Sequence, residues 1–100
     1  MPLTDPQRPI VLAHTQRLLS TRDYPKTICP SEVARAFSAA ELQMLNARSW
    51  RDAMEHVREV LWELREEGKV EILQRGEVLG DDVGLGDVRG PIRVRGKKED

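Results

Sequence analysis

The chain has 100 residues, of which 39% are hydrophobic and 33% charged, and its formal net charge is −1. This length and composition are typical of one globular domain with a modest apolar core, and they exclude a disordered chain and a membrane-spanning protein. The one cysteine cannot form an internal disulfide. No apolar run is long enough to span a membrane, and the first residues do not have a signal-peptide pattern. We therefore expect a single cytoplasmic domain over residues 1–100, with flexible ends at 1–8 and 96–100.

The charge is distributed unevenly along the chain. Residues 52–87 are acidic overall, whereas the segment 89–98 contains no acid and carries Arg89, Arg93, Arg95, Lys97 and Lys98. The near-neutral net charge excludes a strong overall attraction to nucleic acid, but a local cluster of basic residues remains near the carboxyl end.

The first predicted element is a helix that starts near Pro6 and Pro9, with Thr4 or Asp5 as its cap. Its apolar face repeats at helical spacing and consists of Val11, Leu12, Thr15, Leu18 and Leu19. The segment "STRDYPK" ends this helix, because a residue before proline is biased out of the helical region.

A second, short helix is predicted in "KTICPSEVARAF", after an extended piece at residues 27–28. Pro30 suits the first helical position, and Cys29 takes the cap position, where serine, threonine or aspartate is usual. A thiol at a helix N-terminus could serve as a redox sensor. We prefer the simpler interpretation that Cys29 packs as a small apolar side chain beneath Phe37.

The longest predicted helix runs from Trp50 to Gly68, after a further helical turn within "SAAELQMLNAR". That turn supplies either Ala40 and Met44 or Leu42 and Leu45 to the core. Ser49 and Asp52 form a capping pattern, and Gly68 suits a left-handed ending. The long helix has a core stripe at helical spacing, made of Trp50, Ala53, Met54, Val57, Val60, Leu61 and Leu64. Trp62 is expected outside this stripe, near Arg58 and Arg65.

Two strands complete the chain, at residues 70–74 and 91–95. Both alternate apolar and polar residues, with Gly76 as a turn and a flexible loop in "GDDVGLGDVRG" between them. This order predicts an α+β winged helix: a three-helix core, a C-terminal β-hairpin wing and a short extra strand near residues 27–28.

Four blocks of the sequence, "KTICPSEVAR", "WRDAMEHVREVLWEL", "GKVEILQRG" and "RGPIRVR", resemble a small family of winged-helix proteins catalogued as a domain of unknown function. The resemblance spans residues 10–95. It implies the winged-helix fold, but it assigns no catalytic or binding role to any residue.

A winged helix commonly places its third helix in the major groove of double-stranded DNA and its wing beside the backbone. The expected nucleic-acid contacts are therefore basic or hydroxyl side chains at the helix start, the wing and the tail: Arg48, Ser49, Arg51, Arg75, Arg93, Arg95, Lys97 and Lys98. The longest predicted helix, which is the third of the three-helix core, argues in part against this hypothesis, because it holds three arginines and six acids.

The alternative hypothesis is a protein-interaction domain that binds a protein partner or a second copy of this chain. Arg58, Trp62 and Arg65 have the composition of an interface hot spot. The competing interpretation is that Trp62 lies under the N-terminal segment or the hairpin.

Enzymatic function is not predicted. His14, His56 and Cys29 make an incomplete zinc set, and no phosphate-binding loop or nucleophile elbow is present. The aspartates of the loop, Asp81, Asp82 and Asp87, do not follow the spacing of a calcium loop. We therefore expect a non-catalytic module without a metal or cofactor.

Overall fold

The structure is a computed structural model that describes residues 6–97. Over this range the chain is α+β, as predicted. Its helices are α1 (Gln7–Ser20), α2 (Pro30–Arg35), α3 (Ala39–Met44) and α4 (Trp50–Glu66), and its strands are β1 (Val70–Gln74), β2 (Glu77–Val78) and β3 (Arg93–Gly96). Residues 7, 8 and 96, which lie within the ends expected to be flexible, belong to these elements. Thr4, Asp5 and Lys98 lie outside the described residues.

Helix α4 is the centre of the core. The predicted stripe is confirmed, because its members Ala53, Val57, Val60, Leu61 and Leu64 are buried. Its remaining two members, Trp50 and Met54, are partly buried at the edge of the core. Each large aliphatic side chain buried in this way stabilises the fold by roughly 1.5–3 kcal/mol. The helix ends as predicted, with Gly68 in the left-handed region at φ +75°.

The pairing of the first and last strands is also confirmed. β1 and β3 are antiparallel, with Ile72 opposite Val94. The extended residue before α2 joins the same sheet, because Ile28 N–H donates to the Val94 carbonyl at 2.7 Å and Val94 N–H donates back at 2.9 Å. The short strand expected near residues 27–28 is thus a single bridge at the edge of β3.

The sheet contains a strand that the sequence did not indicate. β2 pairs with the outer edge of β1, giving the order β2-β1-β3 in place of a two-stranded hairpin. Arg75 and Gly76 form the two-residue turn between β1 and β2, and both have positive φ, at 55° and 83°. Such turns match the twist of a hairpin. β2 was missed because Glu77 and Val78 are both exposed, so no apolar alternation marks them.

The predicted helical turn before α4 is α3. Ser38 caps it, because Glu41 N–H donates to Ser38 Oγ at 3.1 Å and Ser38 N–H donates to Glu41 Oε1 at 2.8 Å. Leu45 is fully buried and Leu42 partly buried, whereas Met44 is 52% exposed. The core therefore receives Leu42 and Leu45, and the alternative with Ala40 and Met44 is wrong.

The whole arrangement is compatible with a winged helix, with α3 as an additional helix and β2 as an additional strand. In the described residues 6–97, every helix is too short or too polar to span a bilayer.

Candidate nucleic-acid interface

Three arginines line one groove of about 380 Å³ at the end of the sheet where β1 turns into β2. These are Arg75 in the turn, Arg89 in the loop before β3, and Arg93 at the start of β3. The other lining residues of this groove are neutral: Gln74, Gly76, Gly90 and Pro91. Within the described part of the chain, the groove lining is therefore purely cationic in charge, a property that attracts anions.

Two sets of side-chain hydrogen bonds hold this groove together. Gln74 Nε2 donates to the Arg89 carbonyl at 2.6 Å, which folds the loop back onto β1. Arg93 donates from Nε to Thr27 Oγ1 at 2.9 Å and from a terminal nitrogen to the Thr27 carbonyl at 3.3 Å. The second set fixes the Arg93 guanidinium against the segment before α2. The groove is thus assembled from parts of the chain far apart in sequence.

A further arginine joins the groove to α4. Arg58 donates to the carbonyl oxygen of Gly90 at 3.0 Å, so the loop beside Arg89 lies against the middle of the helix. Arg51 lies seven residues earlier on the same face of α4, about 10 Å away along the axis. We call the five residues Arg51, Arg58, Arg75, Arg89 and Arg93 the basic strip.

The N-terminal end of the strip carries a stack of two guanidiniums on one indole. The Arg35 guanidinium lies 4.5 Å from the centroid of the Trp50 ring, and that of Arg51 lies 4.7 Å from it. Each such cation–π contact stabilises by about 0.5–1 kcal/mol at an exposed site. Trp50 therefore holds two exposed arginines in place where α2 and α4 meet.

Two residues of this surface, Arg35 and Arg89, were not predicted as binding residues. Arg89 could have been found, because it opens the basic segment 89–98. Arg35 has no local signal in the sequence. Its position beside Trp50 follows from the packing of α2 on α4, which is a contact between separate elements.

Other predicted contacts lie near the start of α4. Arg48 is exposed, and its backbone N–H donates to Asp52 Oδ2 at 3.1 Å. Ser49 is half-buried at the cap position, where its side chain makes no capping hydrogen bond. The expected Ser49–Asp52 capping pattern is therefore only partly present, since Asp52 binds the amide of Arg48.

The remaining predicted contacts do not join the basic strip. Arg95 forms an ion pair with Glu71 at 2.9 Å and stacks on the Tyr24 ring at 4.7 Å, so its charge is compensated within the chain. Lys97, beyond the far end of β3, lines a different groove together with the acids Glu66 and Asp81. Lys98 lies outside the described residues.

Trp62 is buried, with only 8% of its surface exposed. Its Nε1–H points to the Val83 carbonyl at 3.4 Å, and Arg65 donates to the same oxygen at 2.6 Å and also to the Gly80 carbonyl. The loop between β2 and β3 therefore covers this side of α4, in agreement with the competing interpretation that Trp62 lies under the hairpin. A partner surface of Arg58, Trp62 and Arg65 is occupied by the chain itself.

Cys29 is the N-cap of α2, as predicted. Its backbone N–H donates to Glu32 Oε2 at 2.6 Å, and Ser31 Oγ–H donates to the Cys29 Sγ at 3.1 Å. The thiol is half-buried. Whether Cys29 serves packing or redox chemistry stays a prediction.

The two histidines lie apart and have structural contacts. His14 Nε2 lies 3.0 Å from Glu41 Oε1, and His56 Nε2 lies 3.1 Å from the Leu45 carbonyl. The Ser38 amide, together with His14, holds the pKa of the Glu41 carboxyl below its ordinary value. In residues 6–97, no group of three or more His, Cys, Asp or Glu side chains is arranged to hold a metal ion.

Comparison with curated proteins finds no match for this sequence. A family model described as "Protein of unknown function (DUF3253)" matches residues 8–97. This match covers well over half of the chain and includes every helix and strand described above except the first residue of α1. The chain therefore belongs to this family of proteins of unknown function.

Proposed function

We propose that this chain is a winged-helix module that binds double-stranded DNA in the cytoplasm without catalysing a reaction, as part of a regulatory function. The observation that carries the proposal is the groove of Arg75, Arg89 and Arg93, which is linked to α4 by the hydrogen bond from Arg58 to Gly90. In this proposal, β1, β2 and the loop before β3 form the wing. The bridge between Ile28 and Val94 supports a winged helix, because it joins the segment before α2 to the last strand.

The groove suits a phosphate backbone for two reasons. Guanidinium groups donate paired hydrogen bonds to phosphate oxygens, and residues 6–97 contribute no acidic side chain to the groove lining. No ion pair is formed within the described residues by Arg75, Arg89 or Arg93, so each can neutralise a phosphate. A net charge of −1 makes the attraction local, which predicts weak, strongly salt-dependent binding.

The experiment is fluorescence anisotropy with a labelled DNA duplex of about 20 base pairs, titrated at several salt concentrations. Each neutralised phosphate contributes about −0.9 to the slope of log K against log salt. Three groove arginines therefore predict a slope near −3. Arg89→Gln should weaken binding severalfold at low salt and make the slope shallower by about one.

Lys69→Gln is the matched control. Lys69 is an exposed cation immediately before β1, about 20 Å along the strand from Arg75, and its substitution makes the same change in net charge. Equal losses in the Lys69 and Arg89 variants would mean that only total charge matters, which would contradict a defined site. Absence of binding at low salt would refute the proposed function.

Self-association is the second candidate function. It requires the loop to leave Trp62, whose indole is buried, and Arg65, which donates to two loop carbonyls. Sedimentation of the free protein over a range of concentrations tests it, and a concentration-dependent dimer that disappears in Trp62→Phe would favour this alternative.

A further inference from the structure

The loop between β2 and β3 covers the C-terminal half of α4 on the side opposite the predicted apolar stripe. At 100° per residue, Trp62 lies roughly opposite the buried stripe, on the face that a recognition helix turns towards DNA. Here the C-terminal half of that face is covered, because Trp62 is 8% exposed and Arg65 donates to the carbonyls of Val83 and Gly80. Leu85, the first residue of a short 3-10 helix in the loop (Leu85–Asp87), lines a shallow groove together with Trp62.

The width of α4 together with its covering loop decides whether the helix fits into the major groove of DNA. An α-helix with its side chains is about 10–12 Å across, and the major groove of B-form DNA is about 12 Å wide. The groove therefore admits a bare helix, but it has no room for a helix that carries a loop on its leading face. The loop would have to leave α4, which breaks the contacts of Trp62 and Arg65 with Val83.

The charge of this region acts in the same direction. Glu66 is exposed on the outward side of α4, and the covering loop exposes Asp81, Asp82 and Asp87. Glu63 is compensated by an ion pair with Arg8 at 2.9 Å. The other four acids outnumber the two cations of the same region, Arg65 and Lys97, so the surface formed by the loop and the end of α4 has a net negative charge and repels a phosphate backbone.

The cationic contacts lie elsewhere, on the basic strip. Arg75, Arg89 and Arg93 are exposed at the wing, and Arg51 is exposed at the first turn of α4. Arginines of this kind neutralise phosphates, and phosphates are the same in every sequence. The exposed side chains next to Arg51 on α4 are two acids, Asp52 and Glu55. The phosphates on both sides of the DNA major groove repel these carboxylates.

From these contacts we infer that the chain contacts only the sugar–phosphate backbone of duplex DNA, mainly through the wing, and that it has no preference for base sequence. This inference rests on the proposed function and names its ligand class as any B-form duplex long enough to cover the strip. The loop over Trp62 stays in place in the complex.

The test compares three duplexes of equal length, one rich in A·T, one rich in G·C and one of mixed sequence, in anisotropy titrations at fixed low salt. We expect dissociation constants that agree within about threefold, and an equal loss of affinity on all three in Arg89→Gln. A preference of more than tenfold for one duplex, or strong enrichment of one motif from a random-sequence pool, would overturn the inference while leaving the proposed function intact.

A second measurement follows the loop directly. The indole N–H resonance of Trp62, identified by its persistence in Trp50→Phe, should keep its position when duplex is added, whereas the amides of Arg75 and Arg89 should shift. A large displacement of the Trp62 resonance would mean that the loop opens to expose α4, against the inference. Absence of binding to all three duplexes would refute the proposed function itself, and tighter binding to duplex RNA than to DNA by more than tenfold would overturn the ligand class.

Discussion

Arg58 on α4 donates a hydrogen bond to the carbonyl oxygen of Gly90, at 3.0 Å, and so places the loop before β3 against the middle of the helix. This contact spans 32 residues of sequence and aligns two groups of arginines, one on the helix and one at the wing.

Replacing Arg58 with glutamine should loosen the loop and weaken duplex binding. A single hydrogen bond of this kind stabilises by about 0.5–1.5 kcal/mol, so amides of residues 88–91 should exchange faster by roughly 2- to 10-fold. Hydrogen exchange followed by mass spectrometry measures this. Lys69→Gln, which makes the same change in charge outside the strip, should leave exchange in this loop unchanged, and an unchanged loop in the Arg58 variant would contradict the proposed coupling.

Trp62→Ala should destabilise the fold, because it removes a buried aromatic side chain. Large aromatic-to-alanine changes in cores cost about 3–5 kcal/mol, and we expect about 3 kcal/mol here, since the covering loop can partly collapse. Urea unfolding followed by circular dichroism provides the free energy of unfolding. Trp50→Ala, at a half-buried position, serves as the comparison and should cost less.

A loss below about 1 kcal/mol for Trp62→Ala would contradict the buried environment. An independent check uses Trp50→Phe, in which Trp62 is the remaining tryptophan. Its fluorescence should be that of a shielded indole and should resist quenching by iodide.

Cys29→Ser should leave stability nearly unchanged, within about 0.5 kcal/mol. Serine is a favoured N-cap residue, and its oxygen accepts the hydrogen bond from Ser31 Oγ at least as well as sulfur does. Cys29→Val removes the acceptor and should cost about 1 kcal/mol. Thermal unfolding of both variants decides the point, and equal losses would show that the polar contact at Cys29 has no role.

Glu41→Gln should change the dependence of stability on pH. The folded-state pKa of Glu41 lies below its ordinary value of 4.5, chiefly because the Ser38 amide hydrogen-bonds its carboxylate, with His14 adding to the effect. The ionised form therefore stabilises the folded state above pH 4.5, and this contribution is lost as the pH falls through the folded-state pKa. The stability difference between wild type and Glu41→Gln should thus be largest above about pH 5 and shrink towards pH 3.

Urea unfolding of both proteins at pH 6, 4.5 and 3 measures this difference. A difference between wild type and Glu41→Gln that stays constant over the range would contradict the role of the Ser38 and His14 contacts.

Much of the fold follows from local patterns in the sequence. The apolar repeat of α4 predicts its buried stripe because a regular helix has one period, and the alternation in β1 and β3 predicts their inward residues because a strand has another. Cys29 is predicted at the start of its helix because Pro30 suits the first helical position, and Gly68 is predicted at the end of α4 because glycine adopts the left-handed conformation. These are properties of neighbouring residues, which the chain determines without reference to distant contacts.

Other features depend on contacts between distant segments. Trp62 lies outside the apolar stripe of α4, and its burial is decided by a loop some 20 residues later. β2 has two exposed residues and exists only because β1 offers an unpaired edge. The stack of Arg35 on Trp50 likewise needs two helices to meet.

The sequence by itself thus determined the helices, the paired strands and the basic composition of the tail, because each depends on short-range periodicity or on counting charges. Only the tertiary structure decided which arginines share a groove, which are paired with acids, and that the outward side of α4 is covered. The physical reason is that a charge or an aromatic ring acquires its role from the groups within a few ångströms of it, and those groups come from remote parts of the chain.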